Sequence, residues 1–348
     1  MIGKDERYLH APKAILSVDV LPGTVPDAPD LGLPQIHLLD GQLQDTNQHV
    51  REWTAADGTD EDPDHFAAIN RDEATNGVVI TVPKNTQAAY HLVNTTTKRV
   101  VTRVHIHLET GAELRLIEHH LGHGTVNQVT RITQDANSHL KHDKLQEDTG
   151  IRVDTLSCDI HRDANCKLGN ISLNGDAIRN TATANLLGAG AHAAMHGLYV
   201  VGRKRHVDNW TRVDHAVADC TSEQLYKGVL SDEGHGAFTG NILVRKDAQR
   251  TRSEQENRNL LLSRKAHVDT TPQLEIHADD VQCAHGSTVG QLDEEALFFL
   301  RTRGIGAEEA RVMLTKAFVQ EVVDQCQPEV RELITSRIEA WFMRHEAP

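Results

Sequence analysis

A chain of 348 residues can hold two domains, or one elongated repeat fold built on a continuous core. Its 36 basic and 50 acidic residues leave a net charge of -14, which argues against a broad phosphate-binding face, so neither nucleic acid nor an anionic membrane is an expected partner. Hydrophobic residues make up 39% of the chain but aromatic ones only 4%, so the core has to be built from Val, Leu, Ile and Ala in regular layers.

The first segment, residues 1–75, carries most of the prolines and shows little sustained periodicity, which predicts an irregular entry region. Met1-Ile2-Gly3-Lys4-Asp5 turns polar before a signal-peptide core could form. No apolar stretch approaches the ~20 residues of a membrane-spanning helix, so a cytoplasmic protein is expected. The acidic run Asp57, Gly58, Asp60, Glu61, Asp62, Pro63 and Asp64 reads as a solvated loop rather than a metal site.

Residues 76–290 change texture. Short alternating runs such as Val78-Val79-Ile80-Thr81-Val82 and Val101 to Leu108 have the period of two expected of half-buried strands. A small phrase recurs between them: Gly111-Ala112-Glu113, Asp135-Ala136-Asn137, Asp163-Ala164-Asn165, Gly190-Ala191-His192, Gly236-Ala237-Phe238 and Lys265-Ala266-His267. Its alanines lie 24, 28, 27, 46 and 29 residues apart, the fourth interval being about twice 23, as though one copy had lost its signature. A period of this length predicts an all-β solenoid whose rungs bury one another's aliphatic faces, with Gly or Asp turning each corner. A β-sandwich would need turn signals every ~8–12 residues and does not call for the longer period.

Residues 291–348 switch to the helical period. Asp293, Glu294 and Glu295 start a short helix that Arg301, Arg303 and Gly304 end. A second helix runs from about Ala307 to Gln325 with Ala310, Met313, Leu314, Ala317, Phe318 and Val322 on one face. A third follows Pro328, with Val330, Leu333, Ile334, Ile338, Trp341 and Phe342.

Five scattered cysteines without a CxxC pair suggest neither a disulfide framework nor a four-cysteine zinc site, and reduced thiols are expected. Most of the 22 histidines are expected at the surface, including His105, His107, His119, His120 and His123. The densest set of metal-compatible side chains is His277, Asp279, Asp280, Cys283 and His285. Cys283 and His285, two apart on a strand, share a face, but two ligands alone make a weak site. No nucleophile elbow, phosphate loop or H-E-x-x-H pair occurs, which points away from a self-contained enzyme and assigns any ATP chemistry to another subunit. A carbohydrate-active β-helix enzyme is the alternative from another class, and three tryptophans with four tyrosines are few for a sugar groove.

Further phrases carry a resemblance. Leu198-Tyr199, His206-Val207-Asp208, Cys220-Thr221-Ser222, Tyr226-Lys227-Gly228, Phe238-Thr239-Gly240, Ala248 to Thr251, Asn259 to Leu262 and the long segment Pro272 to Gly306 occur in the order seen in the SufB/SufD iron-sulfur cluster assembly scaffold family, which the chain resembles from about Leu198 to Cys326 and more weakly back to Phe66. The resemblance implies a right-handed parallel β-helix with a C-terminal α-helical domain. It implies a SufBCD-type complex in which the C-terminal helices dock a SufC-like ABC-type ATPase, here through Leu297, Phe298, Met313, Leu314, Phe318 and Val322. The β-helix would pair with a SufB-like paralogue or, as a homodimeric scaffold, with a second copy. His285, and beside it Cys283, fall on the family's interface histidine and cysteine, which implies a share in an iron or nascent-cluster site completed by the partner. Ile276 stands in the strand where the sister subunit carries its sulfur-accepting cysteine, so that role does not transfer. The family's N-terminal helical region looks shortened here, and nothing in the residues assigns a flavin.

Overall fold

The computed structural model describes residues 25–58 and 65–345; most of the acidic run at 57–64 and the first 24 residues lie outside the described part. The chain opens with three short strands, β1 (Gln35–Leu39), β2 (Gln42–Leu43) and β3 (Val50–Glu52), then helix α1 (His65–Glu73) and strand β4 (Asn76–Val82). It continues through β5 (Gln87–Thr96), β6 (Arg99–Leu108), β7 (Glu113–Gly122), β8 (Thr125–Gln134), β9 (His139–Gln146), β10 (Ile151–Ile160), β11 (Asn165–Ser172) and β12 (Ala177–Leu186). Then follow β13 (His192–Val201), β14 (His206–His215), β15 (Thr221–Leu230), β16 (His235–Val244), β17 (Thr251–Leu261), β18 (His267–Ile276) and β19 (Val281–Gly290). Three helices end the chain: α2 (Glu294–Thr302), α3 (Ala307–Gln325) and α4 (Pro328–His345).

From β4 onward successive strands alternate between two sheets, and within each sheet every neighbour is parallel, so the chain winds as a β-solenoid. The first sheet runs β19-β17-β15-β13-β11-β9-β7-β5-β1-β2 and the second β18-β16-β14-β12-β10-β8-β6-β4-β3. The register gives the true repeat. Gln87, Glu113, His139, Asn165, His192, Thr221, Arg252 and Gln282 stand in one column, so the rungs grow from 26 residues to 31 and 30 near the C-terminal end.

Two residues before each of the first seven positions lies a residue in the left-handed conformation: Asn85, Gly111, Asn137, Asp163, Gly190, Asp219 and Arg250. Gly, Asn and Asp visit that region at the least cost, and their backbone N–H groups bond to the corner carbonyl of the next rung, as from Asn137 N to Arg162 O (2.9 Å). Between them and the strands sits a small side chain, including Ala112, Ser138, Ala164, Ala191 and Cys220, all buried. The alanine phrase is therefore a partial view of this column. Gly111-Ala112, Asp163-Ala164 and Gly190-Ala191 belong to it, and Asp219-Cys220 is the copy that seemed lost. Asp135-Ala136 is two residues out of register, Gly236-Ala237 lies within β16, and Lys265-Ala266 turns a corner of the other sheet.

The inner faces of the two sheets meet in an aliphatic core including Leu114, Leu116, Ile132, Leu156, Ile160 and Leu186. The outer face of the first sheet carries a second apolar stripe, Ile117, Leu145, Ile171, Leu198 and Val229, on which α3 and α4 pack through Val319, Val322, Cys326, Val330, Ile334 and Ile338. The buried stripe of α3 is thus Ala310, Thr315, Val319, Val322 and Val323, while Met313 and Ala317 face solvent, a rotation from the face expected from sequence. The helix has a sheet and α4 to satisfy at once, and both β-branched and small residues serve that purpose.

Strand structure also begins before Asn76: β1 pairs parallel with β5, and β3 antiparallel with β4, so that the N-terminal end of the solenoid is closed by a change of strand direction. The short alternation in QIHLL, set among prolines, gives little warning of this. Among the described residues no helix is long and apolar enough to cross a membrane.

Candidate functional site

The opposite end of the solenoid is built differently. β18 and β19 are the last strands of their sheets, each paired on one side only. Register fixes which side chains of this final rung point inward. Cys283, His285 and Ser287 of β19 align with the buried Ser253, Gln255 and Asn257 of β17, so they lie on the inner face. Thr270, Leu274 and Ile276 of β18 align with Phe238, Ile242 and Val244 of β16 and lie opposite. A hydrogen bond between Thr270 Oγ1 and Ser287 Oγ (2.9 Å) spans the two faces. No further rung covers them among the described residues, so His285 is exposed, as are the apolar Ile276 (39%) and Val289 (49%).

Cys283 is half-buried against a cluster including Ile242, Val244 and Ala278. Burial pushes its thiol above the ordinary range, against a smaller lowering by the Ser253 backbone, so at neutral pH the sulfur is a protonated thiol. Of the other residues in the expected cluster, His277 is paired with Glu275 (3.0 Å), and Asp280 serves the corner, its carbonyl accepting from Arg250 N (2.6 Å). Asp279 is exposed in the same turn. The structure therefore brings together Cys283 and His285 on one face of one strand. Neither belongs to a group of three potential metal ligands among the described residues.

Two such groups do occur elsewhere. Asp143, His196 and Cys326 are buried where the α3–α4 connection meets the first sheet. Asp143 bonds His196 Nε2 (3.1 Å) and accepts from Gln327 N (2.7 Å). Although burial alone would raise it, the His196 contacts and the Gln327 bonds hold this carboxyl below its usual range, while burial and then Asp143 push the Cys326 thiol well up. A protonated thiol and a fully engaged carboxylate make this a structural latch fastening the helices to the sheet. The second group, His235, His267 and Asp269, lies on the outer side of the last rungs. Sequence spacing does not reveal it, because the histidines are 32 residues apart and only the lengthened rung aligns them.

The histidines expected at the surface divide. His119 and His120 are fully buried. His119 faces the helical layer, its Nε2 2.6 Å from Glu147 Oε2, and Glu147 also pairs with Arg337 of α4. His120 points into the solenoid, 3.1 Å from Glu118. There Glu118, His142, Lys144, Arg152 and Asp154 form a buried polar half of the core, with His142 Nε2 2.8 Å and Gln128 Nε2 2.6 Å from Glu118. Burial acts to raise Glu118, but the charges of Lys144 and His120 and the bonds from both histidines outweigh it and hold the carboxyl well below its usual range. His105, His107 and His123 are partly exposed.

The six expected docking residues occupy different settings. Leu297 and Val322 are buried within the chain, Leu314 is half-buried, and Phe318 lies half-buried beneath Lys227 Nζ, 5.0 Å from its ring centroid. Phe298 (68%) and Met313 (44%) are exposed, beside Phe299. α2 begins with Asp293 Oδ1 accepting from Glu295 N (2.9 Å) and ends before Gly304 at φ 87°.

Residues 91–318 match the family model described as the SufBD core domain of SUF system FeS cluster assembly. The chain belongs to the SufB/SufD family. It is 34% identical over 243 residues to the iron-sulfur cluster assembly protein SufD of Escherichia coli, covering 68% of this chain and 57% of that protein. It is 31% identical over 293 residues to an iron-sulfur cluster assembly SufBD family protein of Mycobacterium tuberculosis, covering 79% and 74%. Against the SufD of Bacillus subtilis it is 28% identical over 309 residues, covering 83% and 70%. The chain therefore spans little more than half the length of the Escherichia coli relative. The matched family core takes in the solenoid from β5 to most of α3, including the last rung and its Cys283 and His285.

Proposed function

We propose that this chain is a non-catalytic scaffold for iron-sulfur cluster assembly in the cytoplasm. In this reading its open solenoid end meets a SufB-like paralogue or a second copy, and α2–α4 dock a SufC-like ABC-type ATPase. His285, aided by Cys283, supplies this chain's share of a site that holds iron or the nascent cluster as cargo. The observation that carries the reading is the final rung. Two soft-to-borderline ligands lie on an inner face that none of the described residues covers, beside unpaired strand edges and exposed Ile276 and Val289. A partner strand laid along β18 or β19 would satisfy the backbone, bury the apolar rim and bring the missing ligands.

A neutral imidazole gives a lone pair to iron without charge cost, whereas Cys283 must first release a proton that burial makes it hold. His285 is accordingly the stronger contributor and Cys283 the accessory one. ATP binding by the docked partner could move the end only through different affinities for closed and open arrangements. Exposed Phe298 and Met313 are the anchors available for that docking.

The test is His285→Ala in cells whose cluster supply depends on this chain. Maturation of iron-sulfur enzymes is expected to fall at least about tenfold, the cost of removing support from a metal site, at unchanged protein level. Undiminished maturation would remove the ligand role. Copurification of an ATPase that is lost on deleting residues 294–345 checks the docking separately.

A further inference from the structure

Three histidines open three successive strands of the second sheet in exact register: His206 of β14, His235 of β16 and His267 of β18. Their rings form a ladder, with centroids 4.6 Å apart between His206 and His235 and 5.2 Å apart between His235 and His267. Asp269, two residues beyond His267 and so on the same face, lies between the last two rings. Its Oδ2 is 2.8 Å from His235 Nε2 and its Oδ1 is 3.2 Å from His267 Nε2. The potential ligand atoms of His235, His267 and Asp269 all lie within 4.8 Å of one another.

We propose that His235, His267 and Asp269 bind one divalent first-row transition ion, and that ferrous iron is the cargo it takes. Two imidazoles and one carboxylate form the facial donor set that suits Fe(II) and leaves positions open for water or an incoming ligand. The site faces solvent: the side chains of His235 and Asp269 are about one-third exposed (35% and 32%) and that of His267 67%. An ion can therefore arrive and leave, as a cargo site requires.

The tautomer is provided for as well. Coordination through His235 Nε2 needs the ring proton on Nδ1, and His206 Nδ1, 3.0 Å away, is placed to accept it. This is the outer-shell bond that metal-bound histidines ordinarily make.

The position in the molecule gives the site its role. Asp269 is followed by Thr270, whose hydroxyl is bonded to Ser287, two residues past His285. The trio thus spans the outer side of the last two rungs: His235 stands in the penultimate one, while His267 and Asp269 belong to the final rung, whose inner side carries Cys283 and His285. The role in iron delivery rests on the scaffold reading; binding of the ion by the chain itself does not.

Anaerobic titration of the purified chain with Fe(II), and with Co(II) as an absorbing probe, tests the site by calorimetry and visible spectroscopy. The wild type is expected to show one high-affinity equivalent. His267→Ala and the isosteric Asp269→Asn should each weaken it at least about tenfold, whereas His107→Ala, which removes a histidine beside Asp135 in another rung, should not. Melting curves verify that the variants are folded. Absence of the equivalent in wild type, or its survival in both variants, would overturn the site and leave a hydrogen-bonded ladder. Maturation that persists in His285→Ala, with this titration as expected, would sink the interface reading while leaving the ion site standing.

Discussion

His215 is one of the inward side chains of β14, fully buried, with Nε2 2.9 Å from Ser222 Oγ, which is in turn 2.7 Å from Ser253 Oγ. Burial holds its pKa down at about 4, against an opposing pull from Asp214. His91, stacked on His119, is likewise held near 4 by burial and by the charges of His119 and His37. Both rings stay neutral in the folded chain at a pH where the unfolded chain would protonate them. Between pH 6.5 and 4 the unfolded state thus binds more protons, and stability falls as pH falls through that window. His215 alone is expected to cost about 2 kcal/mol between pH 8 and pH 5. Urea unfolding of wild type and His215→Gln at both pH values measures it. The variant should show the smaller loss on acidification, and equal losses would refute the assignment.

At the scale of elements, the corner column is the feature most open to test. Gly190 has φ 78°, and a Cβ there would strike the stacked carboxylate of Asp163. Gly190→Ala is expected to cost about 2 kcal/mol or more from the left-handed backbone and the clash together. Asn137→Gly, in the equivalent corner at φ 59°, exchanges relieved strain for a looser unfolded chain and should be near neutral. Urea midpoints that move equally would show that the column does not act as a set of equivalent turns. The same column explains what could be read from sequence. The period, the strand texture, the acidic start of α2 and the limits of α3 are local signals, legible without the rest of the fold. The exact rung was obscured because conformation repeats while identity does not: Gly, Asn, Asp and Arg fill one site, and Ala, Ser and Cys the next. Buried polar groups were the harder case. His119 and His120 read as surface residues because much of what permits their burial, Glu147 and Arg337 beside His119 and the charge of Lys144 on the Glu118 that faces His120, comes from another rung and from α4. Cys283 and His285 were legible as a pair because they share one strand, whereas the His235–His267–Asp269 group exists only once the rungs are stacked.

The whole molecule is asymmetric end to end. The N-terminal end is closed by antiparallel β2 and β3, and the helices cover one outer face, but the last rung presents two strand edges and an apolar rim. Natural sheets guard such edges with inward-pointing charges or proline, and β19 carries no Asp, Glu, Lys, Arg or Pro, which favours its pairing with another chain. Ile276 and Val289 are the most exposed of the large apolar side chains on that rim, each more than one-third exposed, so replacing them perturbs little of the chain's own core. Ile276→Lys combined with Val289→Lys should therefore leave the urea midpoint close to that of wild type. In a paired assembly the same lysines would be buried without partners, at a cost of several kcal/mol, enough to separate the chains at micromolar concentration. Light scattering on the protein alone and coexpressed with a SufB-like paralogue provides the measure. Wild type is expected to pair under one of these conditions and the double variant under neither. A folded double variant that still pairs would place the interface elsewhere and separate His285 from any shared site.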